Sequence, residues 1–201
     1  GNYKDVKRAG LMRERSAVDS FRSGVFNVNS WILFAQFACS LGVELTMENG
    51  AALYYRRKFG QSLETSAALA SLFGATNLVA RGMGGGLSDY CNGRMSLRGR
   101  LWAQMTCGIV SGCLIVAFGR CDTVGSAVFV MLFFSVTVQM AMGTCFGVVP
   151  YVDPPNTGSI AGIVGAGGNA GAMLFSSVFR TRSFDYSFRY MGCFAVGTAL
   201  L

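Results

Sequence analysis

The chain has 201 residues, 52% of them hydrophobic and 13% charged, with a mean hydropathy of +0.43; an ordinary soluble domain carries about 25% charged residues, so that class is excluded. Its 27 Gly against 3 Pro show no collagen-like period and lie inside apolar stretches, a composition suited to close helix packing in lipid and not to collagen or disorder. No His is present among the 201 residues, which removes imidazole proton relays, His-based metal sites and Ser-His or Cys-His catalysis.

The chain opens in a polar segment, residues 1–26, where Lys4, Lys7, Arg8, Arg13, Arg15 and Arg22 supply six of the 17 basic residues. This clustering next to an apolar stretch reads as a juxtamembrane segment and accounts for much of the net charge of +7 without nucleic acid. No short apolar core with a cleavage site comes after it, so it is not a signal peptide. Residues 27–201 then form a transmembrane half-bundle. Its expected spans are 28–53, 64–87, 101–119, 124–150, 158–179 and a partial one at 189–201. About 20 apolar residues cross a bilayer as a helix. None of these stretches alternates with period two, so helices rather than an outer-membrane barrel satisfy the backbone. Pro150, Pro154 and Pro155 mark the loop before the fifth span. The missing initiator Met and the stop inside an apolar run give the chain the look of a piece of something longer. With the first segment inside, nine Lys/Arg flank the inner ends and seven the outer, a slight positive-inside bias. The seven Cys form no CxxC pair and read as packing residues.

From Ala67 to Leu87 in the second span Arg81 is the only charge. An Arg at the centre of a span costs about 2.5–3.5 kcal/mol on insertion scales, so it ordinarily faces a cavity. Eight residues separate it from Asp89, which at about 1.5 Å per residue places it near the midplane. The fifth span carries the small-residue run Ala161–Gly171, in which Gly167 with Gly171 makes a GxxxG packing pair, and Gly165, Gly167, Gly168 and Asn169 are expected to offer an anion wall at similar depth. A guanidinium opposite an amide and glycines suits a small planar anion, carboxylate or nitrate, because Arg offers two parallel N–H donors where Lys offers a point charge. Glu44 and Glu48 lie one turn apart on the first span. Glu44 is read as lining the pore or hydrogen-bonded within it, with proton carriage as the alternative, and Glu48 as wet. No metal-ligand cluster and no nucleophile–base spacing points to an enzyme, and no cofactor is expected.

The loop Gly85-Gly86-Leu87-Ser88-Asp89-Tyr90-Cys91-Asn92-Gly93-Arg94 resembles the loop motif of the major facilitator superfamily, with Gly85, Asp89 and Arg94 as its gating residues. Taken with Gly42-Val43-Glu44-Leu45-Thr46, Asn77-Leu78-Val79-Ala80-Arg81, Arg98-Gly99-Arg100-Leu101-Trp102 and the fifth-span glycines, the pattern is similar to the nitrate/nitrite porter family, the eukaryotic high-affinity type above all. The resemblance implies an all-α membrane fold: the C-terminal six-helix half of a twelve-helix bundle, with its last helix truncated and residues 1–26 as the tail of the central cytoplasmic loop. It implies nitrate or nitrite held at the midplane by Arg81 and the glycine-rich span, alternating access, protons as co-substrate, and an absent N-terminal half as partner. A single-span accessory protein and a plasma-membrane location belong to the same expectation. Phe37 falls where some relatives present a Tyr to the anion. A porter for another small anion and a non-transporting sensor are the alternatives.

Overall fold

The computed structural model describes residues 16–201; residues 1–15, with five of the six basic residues of the expected loop tail, lie outside the described residues. Every regular element among those described is helical. Helix α1 spans Ala17–Phe26 and is capped by the Ser16 side chain, which accepts from Val18 N–H. Asn27 caps the next helix in the same way, so the chain turns sharply from the polar segment into the bundle.

Helix α2 (Val28–Phe59) runs six residues beyond the expected end at Leu53. Tyr54 and Tyr55 are wholly buried, and Lys58 Nζ donates to the Gly119 carbonyl at 2.7 Å. The three basic residues Arg56, Arg57 and Lys58 fill the last turn, where the helix dipole favours cations. Gly60, in the left-handed region at φ 65°, ends it.

The stretch expected as the second span is interrupted once: α3 (Leu63–Ala75) and α4 (Asn77–Met95) meet at Thr76, which keeps right-handed helical angles. The Thr76 hydroxyl donates back to the Phe73 carbonyl (2.7 Å) and to Ser135 Oγ (3.1 Å), the back-bonding that bends helices. Beyond the break α4 continues eight residues past the expected end. The turn at Ser96 (φ 53°) leads into α5 (Leu97–Gly119), then α6 (Val124–Val152), a 3-10 turn at Pro154–Asn156, α7 (Thr157–Thr181) and α8 (Phe184–Ala199). The last begins before the expected residue 189, because the Ser183 side chain caps it.

Four helix pairs build the bundle: α2 on α7, α5 on α8, α5 on α6 and α4 on α6. Four helical stretches are each long and apolar enough to cross a membrane: Val28–Phe59, Leu97–Gly119, Val124–Val152 and Pro154–Thr181. The chain is a multi-pass membrane protein. Near the face where α2 starts, α1 lies on the beginning of α7. There Ser23 Oγ donates to Asp153 Oδ2 (2.8 Å) and Ser20 Oγ to Asn156 Oδ1. Toward the opposite face, Tyr54, Phe118, Phe179, Phe184 and Phe188 interlock edge to face or tilted, closing the core.

Candidate anion site

Glu44 sits midway along α2, Arg81 early in α4 and Gln139 midway along α6. The close approach that brings these helices together is made by glycine: an added Cβ at Gly84 would collide with the Met140 backbone, and one at Gly143 with the Arg81 carbonyl. With α4 drawn onto α6, Arg81 reaches Glu44 across the gap.

The Glu44 carboxylate is buried, with 3% of its side chain exposed. Its Oε1 accepts from Asn77 Nδ2 (2.6 Å), Gln139 Nε2 (2.8 Å) and Arg81 Nη2 (3.3 Å); among the described residues Oε2 accepts from Arg81 Nη2 alone, at 2.9 Å. The same Nη2 also reaches Gln139 Oε1 (3.3 Å) and Met142 Sδ (3.6 Å). Among the described residues every hydrogen bond of the Arg81 guanidinium is therefore through one nitrogen. Its Nη1 and Nε have no partner among the described residues, and 46% of the side chain is exposed. A planar ion with two free donor groups, held rigidly at its other nitrogen, is prepared to grip a planar anion at two oxygens.

The remaining predicted residues divide. Asn169, midway along α7, is exposed and makes no side-chain hydrogen bond among the described residues. Gly165 is half-buried with open space where a Cβ would stand. Gly167 and Gly168 are a correction: they face α2, and a Cβ on either would run into Phe34 or Leu41. Both are buried packing residues, as Gly171 is against Ala38, so they form a helix seam and not an open wall. Phe37 is also buried, edge-on to Phe146 with ring centroids 4.9 Å apart.

In the loop motif, Gly85 lies beside Gly143 and Asp89 is braced by Arg100, not by Arg94. Arg100 Nη2 donates to Asp89 Oδ1 at 2.7 Å and Nη1 to Ser88 Oγ at 3.0 Å, while Arg94 stacks on the Tyr90 ring at 4.5 Å. Three contributors escape sequence reasoning. Gln139 is the clearest, an amide wholly buried in a helix with no Asp, Glu, Lys or Arg, which in hydrocarbon must find partners. Asn77 and Arg100 stand out only as members of longer motifs. Among the described residues no cluster of His, Cys, Asp and Glu could hold a metal ion.

Helix order, pairing and the mid-depth polar cluster define an α-helical membrane protein with the fold of a C-terminal major facilitator half. No protein-family model matches the chain. It is similar to the High-affinity nitrate transporter 2.3 of Oryza sativa subsp. japonica, 36% identical over 204 residues that cover 100% of this chain and 40% of the relative. It is 41% identical to the High affinity nitrate transporter 2.7 of Arabidopsis thaliana over 162 residues, 80% of this chain and 33% of that one. It is 33% identical to the Nitrate transporter 2.1 of Chlamydomonas reinhardtii over 209 residues, 99% of this chain and 38% of that one. The chain belongs to the nitrate/nitrite porter family and aligns with the C-terminal portion of these relatives, spanning 33–40% of their length.

Proposed function

We propose that the chain is part of a plasma-membrane nitrate transporter that also admits nitrite, in which Arg81 holds the anion at mid-membrane depth. The observation that carries this reading is the half-exposed guanidinium with Nη1 and Nε unpartnered while Nη2 is pinned to Glu44 and Gln139. Gly165 and Asn169 on the open side of α7 are the further contacts, at matching depth. The names of the relatives support nitrate as the anion. An N-terminal half closes the site from the other side, and the two rock about it to expose the anion to each face in turn. Net movement is driven by protons, with Glu44 the carboxylate nearest the bound anion. The gating residues run along α4 from Gly85 at its middle through Asp89 to Arg94 in its last turn, and a single-span accessory protein acts in assembly.

The test is nitrate uptake by the full-length transporter in cells lacking their own, with competition by nitrite and by small carboxylates, for the wild type and Arg81→Ala. The reading predicts nitrate flux, competed by nitrite, that is lost in the variant at unchanged membrane level. Flux of a carboxylate in place of nitrate, or wild-type uptake by Arg81→Ala, overturns it.

A further inference from the structure

The two oxygens of Glu44 are held unequally. Oε1 has three donors, two of them neutral amides on different helices: Asn77 at the start of α4 and Gln139 in α6. Oε2 has one donor nitrogen, Arg81 Nη2. Gln139 has no freedom in how its amide is read: a carboxylate takes only its N–H and a guanidinium only its carbonyl, so Nε2 faces Glu44 and Oε1 faces Arg81.

The asymmetry matters once an anion binds Arg81, so the inference rests on Arg81 being the anion site. An anion drawing the guanidinium toward its exposed side takes from Oε2 its single partner among the described residues. The Oε1 side stays anchored by Asn77 and Gln139, so the carboxylate cannot move with it. A buried carboxylate oxygen stripped of its cation is costly, and a proton taken from solvent satisfies it.

We propose that Glu44 takes up the co-transported proton at Oε2, and that Asn77 and Gln139 are positioning residues that hold its carboxyl group in place while Arg81 exchanges Glu44 for the anion. Before loading, the site contains a guanidinium paired with a carboxylate. After loading, it contains a guanidinium paired with the anion beside a neutral carboxylic acid. The net charge at mid-membrane is the same in both states, so neither state carries an uncompensated charge through the membrane. One O–H bond forms at Oε2 on loading and breaks on release, the proton passing to water. By linkage, anion and proton then strengthen each other's binding by the same factor.

Few other charges face this carboxylate. On α2 itself Glu48 is one turn away and exposed, and Arg56, Arg57 and Lys58 are at the far end. From α4 comes Arg81, and α6 brings no Asp, Glu, Lys or Arg. Helix α3 has Glu64 in its first turn, α7 has Arg180 in its last, and α8 has Asp185 and Arg189 near its start. On α1, Asp19 and Arg22 precede α2 altogether.

The experiment uses the full-length transporter in proteoliposomes and measures two quantities: nitrate counterflow with equal pH on both sides, and net uptake driven by an inward proton gradient. Glu44→Gln, which mimics the protonated acid, is expected to bring the ratio of uptake with and without the gradient down to about one. Gln139→Leu is expected to shift the pH profile of uptake, with partial rescue by Gln139→Asn; a purely structural loss would lower amplitude at every pH alike and would overturn the positioning role. A Glu44→Gln variant still driven by the gradient as the wild type is would overturn the proposal and leave the anion site standing. Absence of counterflow in that variant would overturn it too, since Glu44 would then be required for the anion itself. If Arg81→Ala keeps wild-type counterflow, the anion site fails first, and the coupling proposal with it.

Discussion

Two arginine–carboxylate pairs stand at the two ends of the same stretch of chain, and they are built in opposite senses. In the Arg81–Glu44 pair the carboxylate is buried, at 3% exposed, and the cation is open, at 46%. In the Arg100–Asp89 pair the cation is buried, at 10%, and the carboxylate is open, at 71%. Arg100 spends its two terminal nitrogens on Asp89 and Ser88, lies 5.0 Å over the Tyr151 ring, and leaves only a buried Nε without a partner. Among the described residues Arg81 makes all its hydrogen bonds through one nitrogen, with nearly half of its side chain exposed. The arrangement at Arg100 closes a helix junction; the one at Arg81 keeps a cation half-committed. A cation held but not saturated is what a reversible anion site needs, because full pairing would leave the incoming anion to displace every bond at once.

The sharpest way to break the comparison is Arg81→Lys. An ammonium keeps the charge and can still meet Glu44, but it loses the planar fork. We expect nitrate uptake by the full-length transporter to fall about 10-fold or more at unchanged membrane level, since the loss of one hydrogen bond to a charged group costs about 1.5–3 kcal/mol. Radiolabelled or isotopic nitrate uptake normalised to surface protein checks this. A smaller change, and of a different kind, is expected at the other pair. Arg100→Leu leaves Ser88 Oγ buried without its donor while Asp89 returns to solvent, a cost of about 2 kcal/mol. It should lower the thermal midpoint and the amount of protein in the membrane, and leave the nitrate affinity of the surviving protein unchanged. A raised KM would mean that Arg100 reaches the anion.

The difference between the pairs also bears on what can be read from the sequence. Arg81 is legible because a single charge in an apolar stretch has few reasons to be there, and Glu44 for the same reason. Their mutual contact is not, since it depends on Gly84 and Gly143 letting α4 approach α6, and a glycine does not state which neighbour it admits. The run around Gly167 shows the same limit from the other side: its small residues signal closeness, but only the packing on Phe34, Ala38 and Leu41 reveals that Gly167, Gly168 and Gly171 face α2. The break at Thr76 is hidden because its cause is a hydroxyl bonded both to its own helix and to Ser135. Helix ends depart from expectation where caps or buried aromatics outweigh hydropathy, as at Tyr54 and Tyr55. Gln139 carries a usable signal, an amide among apolar residues, yet a period-based reading gives it no partner.

The smallest expected effect tests which member of the Arg100–Asp89 pair matters. Asp89 is 71% exposed, so replacing it with Asn removes a Coulomb interaction already weakened by solvent, worth about 0–1 kcal/mol. The Asn carbonyl can still accept from Arg100 Nη2, and Arg100 keeps Ser88 Oγ at 3.0 Å and the Tyr151 ring. Stability should therefore shift by no more than a few degrees, and uptake by no more than a few-fold, far less than for Arg100→Leu. Thermal unfolding and uptake of Asp89→Asn beside Arg100→Leu make the comparison directly. Equal losses in the two variants would show that the exposed carboxylate, and not the buried guanidinium, anchors this junction, and the contrast between a closed pair and an open one would then rest on Arg81 alone.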